Sequence, residues 1–151
     1  MNKSIQNIRT NILKLSYKAK SSHIGSCLSI VELLAALYGG ILKKKDRFIL
    51  SKGHAALALY CTLYEHRFIS LKTLNSYGSN NTSLMNHVSH KVKGVEFSTG
   101  SLGHGLPVAV GKALKFKTNK ENNKVIVLLS DGEMNEGTTW ESLMFASHHQ
   151  L

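Results

Sequence analysis

Apolar residues recur at three- and four-residue steps through Ile5, Ile8, Ile12, Leu15 and Ala19, with lysines on the other face. That period predicts an amphipathic N-terminal helix. The polar stretch Lys20-Ser21-Ser22-His23 ends it, and Ile24-Gly25-Ser26 turns the chain. Ser29 with Glu32 three positions on has capping-box spacing. It predicts a second helix over I-V-E-L-L-A-A-L-Y, stopped by Gly39-Gly40.

Past the exposed connection Lys43 to Asp46, Arg47-Phe48-Ile49-Leu50 has the character of a short strand. Ser51-Lys52-Gly53-His54 turns it into an alanine-rich helix, Ala55 to Glu65. Ser70 is placed to cap a further short helix through Tyr77. Gly78 to Thr99 has no clear period, and loops of that length in compact domains are usually functional or mobile. Ser98 to Gly105 follows, with three glycines in six residues, then an apolar helical pattern from Leu106 to Phe116. A glycine loop running into a helix N-terminus suits an anion.

A polar linker, Lys117 to Asn123, leads into Val125 to Leu129, five consecutive apolar residues. Such a run predicts a strand buried on both faces of a parallel sheet. It stops at Ser130-Asp131-Gly132. Thr138 and Glu141 again have capping-box spacing, ahead of a final helix, Trp140 to His149. Trp140 is expected to pack in the core. Helices and strands alternate, so the fold class is α/β, with a mainly parallel sheet flanked by helices. Few strands are visible, so the sheet is expected to be incomplete at its C-terminal end.

Composition narrows this picture. At 151 residues the chain has the size of one domain, and 42% apolar residues can build a core. A single proline and no low-complexity tract exclude a disordered chain. No apolar run approaches a membrane span, and no apolar segment follows the basic N-terminal residues as in a signal peptide. Cys27 and Cys61 are far apart in sequence and form no C-x-x-C pair, as expected of reduced thiols in a cytoplasmic protein. The net charge of +10 raises nucleic acid as a partner. The lysines are scattered, however, without zinc spacing or aromatic–basic alternation, so no specific nucleic-acid partner is expected. A basic surface also steers phosphorylated sugars inward.

Candidate chemistry starts at the end of the apolar run. A carboxylate and a glycine directly after a buried strand stand where open α/β sheets bind ligands. Asp131 offers a hard oxygen to Mg²⁺, and Gly132 lets a phosphate approach the backbone. Strand-Asp-Gly alone is also an ordinary turn. The wider string decides between them: D-G-E-M-N-E-G-x-x-W-E, Asp131 to Glu141, resembles the thiamine-diphosphate motif of the transketolase family. Ser130 and Ser142 depart from the family's Gly and Ala at its two ends. The motif's closing Asn, a few tens of residues on, has no counterpart in the 20 residues after Asp131 (151 − 131).

Three further strings match the family in order. S-H-I-G-S-C-L-S, from Ser22, is similar to its G-H-x-G-x-x-L-S stretch. D-R-F-I-L-S-K-G-H-A, Asp46 to Ala55, is close to its D-R-F-x-L-S-K-G-H. G-V-E-F-S-T-G-S-L-G-H-G-L, Gly94 to Leu106, resembles its G-V-E-x-S-T-G-S-L-G-Q-G.

The resemblance implies that residues 1–151 are the N-terminal part of the thiamine-diphosphate (diphosphate-binding) domain. It implies the cofactors thiamine diphosphate and Mg²⁺, or Ca²⁺ or Mn²⁺ in its place, with Asp131 as metal ligand. The cofactor-binding residues carried over are His54, Ser101, Leu102, Gly103, Asp131, Gly132, Glu133 and Glu136. Glu136 belongs to an acidic network across a dimer interface. His23, His87 and His104 are carried over as catalytic: His23 and His87 as residues that move protons on sugar hydroxyls, His104 as a hydrogen-bond donor in the glycine loop. Imidazole suits that work because its ordinary pKa lies near neutral pH. At His87 the string N-H-V replaces the usual G-H-P, and His104 replaces a Gln.

The implied reaction is transfer of a two-carbon ketol unit from a ketose phosphate to an aldose phosphate. Partners would be a C-terminal transketolase section or subunit with a pyrimidine-binding domain, in a homo- or hetero-oligomer. The isolated chain is expected to be inactive. The alternatives are a 1-deoxyxylulose-5-phosphate synthase-like enzyme and a catalytically silent interaction subunit.

Overall fold

A computed structural model describes residues 2–151. Helix α1 (Asn2–Ala19) buries Ile8, Ile12 and Leu15, the stripe its period requires. It packs on α3 (Val31–Ala36) and α4 (Ala56–Glu65). α2 (Ile24–Leu28) joins α1 to that layer. α4 is buried from Ala56 to Leu63, which its mostly apolar sequence allows, the Thr62 hydroxyl donating to the Ala58 carbonyl at 2.8 Å. The core lies among these helices and one face of the sheet.

The sheet contains, among the described residues, two parallel strands. β1 (Arg47–Leu50) pairs with β2 (Val125–Leu128) in the register Arg47 with Val125 through Leu50 with Leu128. Alternation along β1 sends Phe48 and Leu50 into the helical core. Ile49, also buried, faces the other side, where α6 (Gly105–Thr118) packs on both strands. α7 (Gly137–His148) packs on α6. Helices thus cover both faces of a small parallel sheet, as an α/β fold requires.

Several sequence expectations shift. Val125 to Leu129 is half-buried, because among the described residues β1 flanks one edge of β2 and no strand flanks the other. The capping box at Ser29 does not form. Ile30 starts α3, and the Ser29 hydroxyl donates back to the Ser26 carbonyl at 2.9 Å. Nor does Thr138 cap α7, which begins at Gly137; its hydroxyl donates instead to the Gly103 carbonyl at 2.8 Å. Ser70 does cap α5 (Leu71–Leu74), accepting from the Thr73 N–H at 3.1 Å, but that helix stops short of Tyr77.

The segment Ile24–Ile41 has a mean hydropathy of 1.7, high enough by length and composition for a membrane span, contrary to the sequence expectation. The fold breaks it at Ile30 and again in a wide turn over Leu37–Ile41, where Gly40 has φ 155°. Its buried members, Cys27, Ile30, Val31, Leu34 and Ala35, belong to the shared core.

The long stretch from Gly78 to Thr99 forms no helix or strand but is held at many points. Leu84, Val88 and Val92 are buried in the core. The Tyr60 hydroxyl donates to the His87 carbonyl at 3.1 Å, and the Val88 N–H donates to the Gly53 carbonyl at 3.2 Å.

Candidate functional site

The carboxyl ends of β1 and β2 bring three loops together. After β1, the 3-10 turn Gly53–Ala55 carries His54. His23 precedes α2 in the left-handed region, φ 68°, an uncommon conformation for a residue with a side chain. His87 comes from the long irregular stretch. Their rings converge: the centroids of His23 and His54 are 5.4 Å apart, and those of His23 and His87 are 5.9 Å apart. A Cβ on Gly100 would lie 3.3 Å from the His87 ring, so a glycine there keeps the glycine loop close against the cluster. Three imidazoles from distant positions can donate and accept protons around one small space.

The His54 imidazole is held below its ordinary 6.5. Burial contributes most, followed by the positive charge of Lys52 and of His23 and His87 when protonated. The Glu133 charge opposes these. The unfolded chain gains the His54 proton as pH drops below about 6.5, before the folded chain does, so stability is lost on acidification through that window. His54→Gln is predicted to flatten this part of the pH dependence. Thermal melts at about pH 7 and about pH 5 check it, and equal slopes in both proteins would refute it.

The second half of the site is the meeting of the glycine loop with the turn after β2. Thr99 anchors the loop by donating to the Leu50 carbonyl at 2.6 Å. Gly103 has φ 76°, and an added Cβ would lie 2.5 Å from Thr138 Oγ1 and 2.9 Å from Glu136 Cβ. Leu102 reaches over Gly132, its Cδ1 3.6 Å from where a Cβ on that glycine would stand. Ser101 and His104 are exposed. His104 stands apart from the histidine cluster, with Nδ1 2.8 Å from the Leu102 carbonyl oxygen, and it leaves α6 without a side-chain cap.

Asp131 is exposed just ahead of the 3-10 turn Gly132–Asn135, and Glu136 leads into α7 with its stem against Gly103. Glu133 behaves differently from its neighbours. It is fully buried, and its carboxylate accepts from the Ser51 hydroxyl, the Gly103 N–H at 3.1 Å, and the Ser130 N–H at 2.9 Å. Ser51 and Thr99, which hold these loops, read from sequence only as turn and loop residues. The available signal is a hydroxyl directly after a strand. Trp140 is 54% exposed, against the expectation of core packing, and its Nε1 donates to the Met134 carbonyl at 2.8 Å. The hydrogen bond fixes the ring on the turn's outer side.

Among the described residues, no group of three or more His, Cys, Asp or Glu is arranged to hold a metal. Asp131 can therefore give a cation one carboxylate, and a diphosphate would have to bring further oxygens. The donor set fits such a pair. An exposed carboxylate sits beside a glycine at the start of a 3-10 turn, and that turn is tied through Glu133 to Ser51 in the loop that bears His54.

Residues 1–151 match the family described as transketolase, thiamine diphosphate binding domain. The chain is 40% identical over 152 residues to one of the subunits of apulose-4-phosphate transketolase from Phocaeicola vulgatus, covering 95% of this chain and 54% of that protein. It is 36% identical over 154 residues to 6-deoxy-6-sulfo-D-fructose transketolase subunit SqwG of Clostridium sp., covering 95% and 56%. The crystal structure of transketolase from Campylobacter jejuni superposes with a TM-score of 0.88 at 28% identity, over 97% of this chain and 26% of that one. The chain spans a little over half the length of these two curated relatives.

Proposed function

The chain belongs to the transketolase family, in its thiamine diphosphate binding domain, and on that premise we propose that it serves a two-carbon ketol transfer between sugar phosphates. It does so together with a partner section or subunit that supplies the pyrimidine-binding domain. The observations that carry this reading are the convergence of His23, His54 and His87 and the Ser51–Glu133 hydrogen bond, which ties the loop bearing His54 to the turn that follows Asp131. The apulose-4-phosphate and 6-deoxy-6-sulfo-D-fructose relatives are each named as a subunit of a transketolase, which supports a separate partner chain. The charge of +10 supports an anionic substrate.

When bound, thiamine diphosphate supplies the electron sink for breaking and making the carbon–carbon bond. Asp131 would give one carboxylate to Mg²⁺, or to Ca²⁺ or Mn²⁺. The backbone at Gly132 and the Leu102-Gly103 segment would line the cofactor, and His54 would serve its diphosphate. Ser101 and His104 border the same loop. His23 and His87 move protons on the sugar hydroxyls. His54, held below its ordinary pKa, is neutral at neutral pH and can donate one N–H without adding charge. Glu136 would join an acidic network across the junction between subunits. Cys27 and Cys61, buried free thiols, support a cytoplasmic setting.

One experiment tests the reading and its rivals. The chain is assembled with its partner section, thiamine diphosphate and magnesium, then assayed for transfer from a ketose phosphate to an aldose phosphate. Transfer is expected from the assembly and not from residues 1–151 alone. His23→Ala is expected to lower kcat by about 100-fold while leaving cofactor affinity within about threefold. Condensation of pyruvate instead would favour a 1-deoxyxylulose-5-phosphate synthase-like enzyme. An assembly that forms but transforms no sugar would favour a silent interaction subunit.

A further inference from the structure

Glu133 has no exposed surface, and none of the salt bridges among the described residues includes it. A buried carboxylate without a cation is costly unless its lone pairs are all engaged. Here they are. Oε1 accepts from the Ser51 hydroxyl and from the Gly103 N–H at 3.1 Å. Oε2 accepts from the Ser130 N–H at 2.9 Å and the Ser130 hydroxyl at 3.3 Å. Each donor residue belongs to a different loop. Ser51 follows β1, three positions before His54. Gly103 lies in the glycine loop. Ser130 follows β2, next to Asp131.

We propose that Glu133 is a positioning residue, whose carboxylate sets the mutual placement of the loops bearing His54, Leu102-Gly103 and Asp131-Gly132 without touching a ligand. The proposal rests on reading those loops as a thiamine diphosphate site. It replaces the expectation that Glu133 meets the cofactor itself, because its oxygens already serve protein donors.

The donor arrangement makes the carboxylate specifically necessary. A serine hydroxyl can turn and accept, but a backbone N–H can only donate. One backbone N–H faces each oxygen, Gly103 on Oε1 and Ser130 on Oε2. A glutamine is nearly the same size, yet either orientation aims its NH₂ at an N–H. One of the two loops must then move away or leave its donor unmet.

Thr139 provides the control. It is fully buried, and its hydroxyl donates to the Glu133 backbone carbonyl at 2.7 Å. Thr139→Val therefore weakens the same turn without touching the carboxylate. Both variants are made in the chain assembled with its partner section. In the unloaded assembly, amide exchange at Gly103 and Ser130 is expected to quicken by about tenfold or more in Glu133→Gln. Titration with thiamine diphosphate and magnesium is expected to show affinity down by about 30-fold or more. Thr139→Val, even at an equal or lower melting temperature, should keep both readouts within about threefold of wild type.

Unchanged exchange in Glu133→Gln overturns the proposal. So does a Thr139→Val variant that reproduces its loss of affinity at matched stability. Should Glu133→Gln fail to fold, Glu133→Asp, with two acceptors on a shorter stem, is judged by the same readouts. A wild-type assembly that binds no thiamine diphosphate removes the functional reading, while the exchange measurement still decides the positioning role.

Discussion

Replacing Asp131 by alanine in the chain assembled with its partner section is expected to abolish magnesium-dependent binding of thiamine diphosphate. Asp131 is the exposed carboxylate where β2 ends, and its neighbour Glu133 is committed to protein donors. No other His, Cys, Asp or Glu among the described residues completes a metal cluster that could take over. Loss of a ligand's partner one shell out already costs about 10- to 100-fold in metal affinity, so loss of the ligand should exceed about 100-fold. Asp131→Asn keeps the shape but removes the negative charge facing the cation, and should fall between alanine and wild type. Because the side chain is exposed, the unloaded melting free energy should stay within about 0.5 kcal/mol. Calorimetric titration with and without magnesium decides the matter; wild-type affinity in the alanine variant would sink the assignment.

Gly103→Ala is the second large effect, and it is structural before it is functional. Two constraints meet there. The backbone has φ 76°, which a side chain tolerates poorly, and the new Cβ would fall 2.5 Å from Thr138 Oγ1 and 2.9 Å from Glu136 Cβ. The Gly103 carbonyl also accepts from Thr138, and its N–H donates to Glu133, so the loop cannot shift without losing both. Overpacking and a left-handed backbone together are expected to cost about 2–4 kcal/mol. Chemical denaturation measures that directly. A Thr138→Ala companion removes the nearer obstacle but not the backbone strain, and should recover only part of the loss. A Gly103→Ala protein as stable as wild type would show that α7 is not held against the loop as described.

Much of this is legible in sequence because it is local. The three- and four-residue recurrence of Ile8, Ile12 and Leu15 is the buried stripe of α1, with Ile5 partly buried at its end. The apolar runs at Arg47 and Val125 are the two strands, and the glycine loop does precede α6. His23, His54 and His87 stand out separately along the chain, and the fold brings them together. Where sequence and structure part, tertiary partners have taken over a local signal. Thr138 has capping-box spacing, but a loop carbonyl 35 positions away takes its hydroxyl. Glu133, read locally, is a charged residue in a ligand motif. Its burial depends on Ser51, 82 positions away, and Gly103, 30 positions away, and no window along the chain contains all three. The strand at Val125 reads as buried on both faces, because an apolar run carries no record of which edge has a neighbour.

The pairing of β1 with β2 has a consequence for how the chain finds its fold. Arg47 and Val125 are partners 78 positions apart (125 − 47), so no hairpin turn dictates which residue meets which. Side chains must choose. Just before the strands, the Asp46 carboxylate accepts from the Lys124 N–H at 2.9 Å. Just after them, Ser51 meets Glu133. A slip of one residue moves one strand by about 3.3 Å and turns its side chains to the opposite face. Asp46 would then miss its N–H, and Glu133 would be sealed in without the Ser51 hydroxyl. The two carboxylates thus act as proofreaders of strand alignment, one at each end, each losing its partner when the strands slip by one residue.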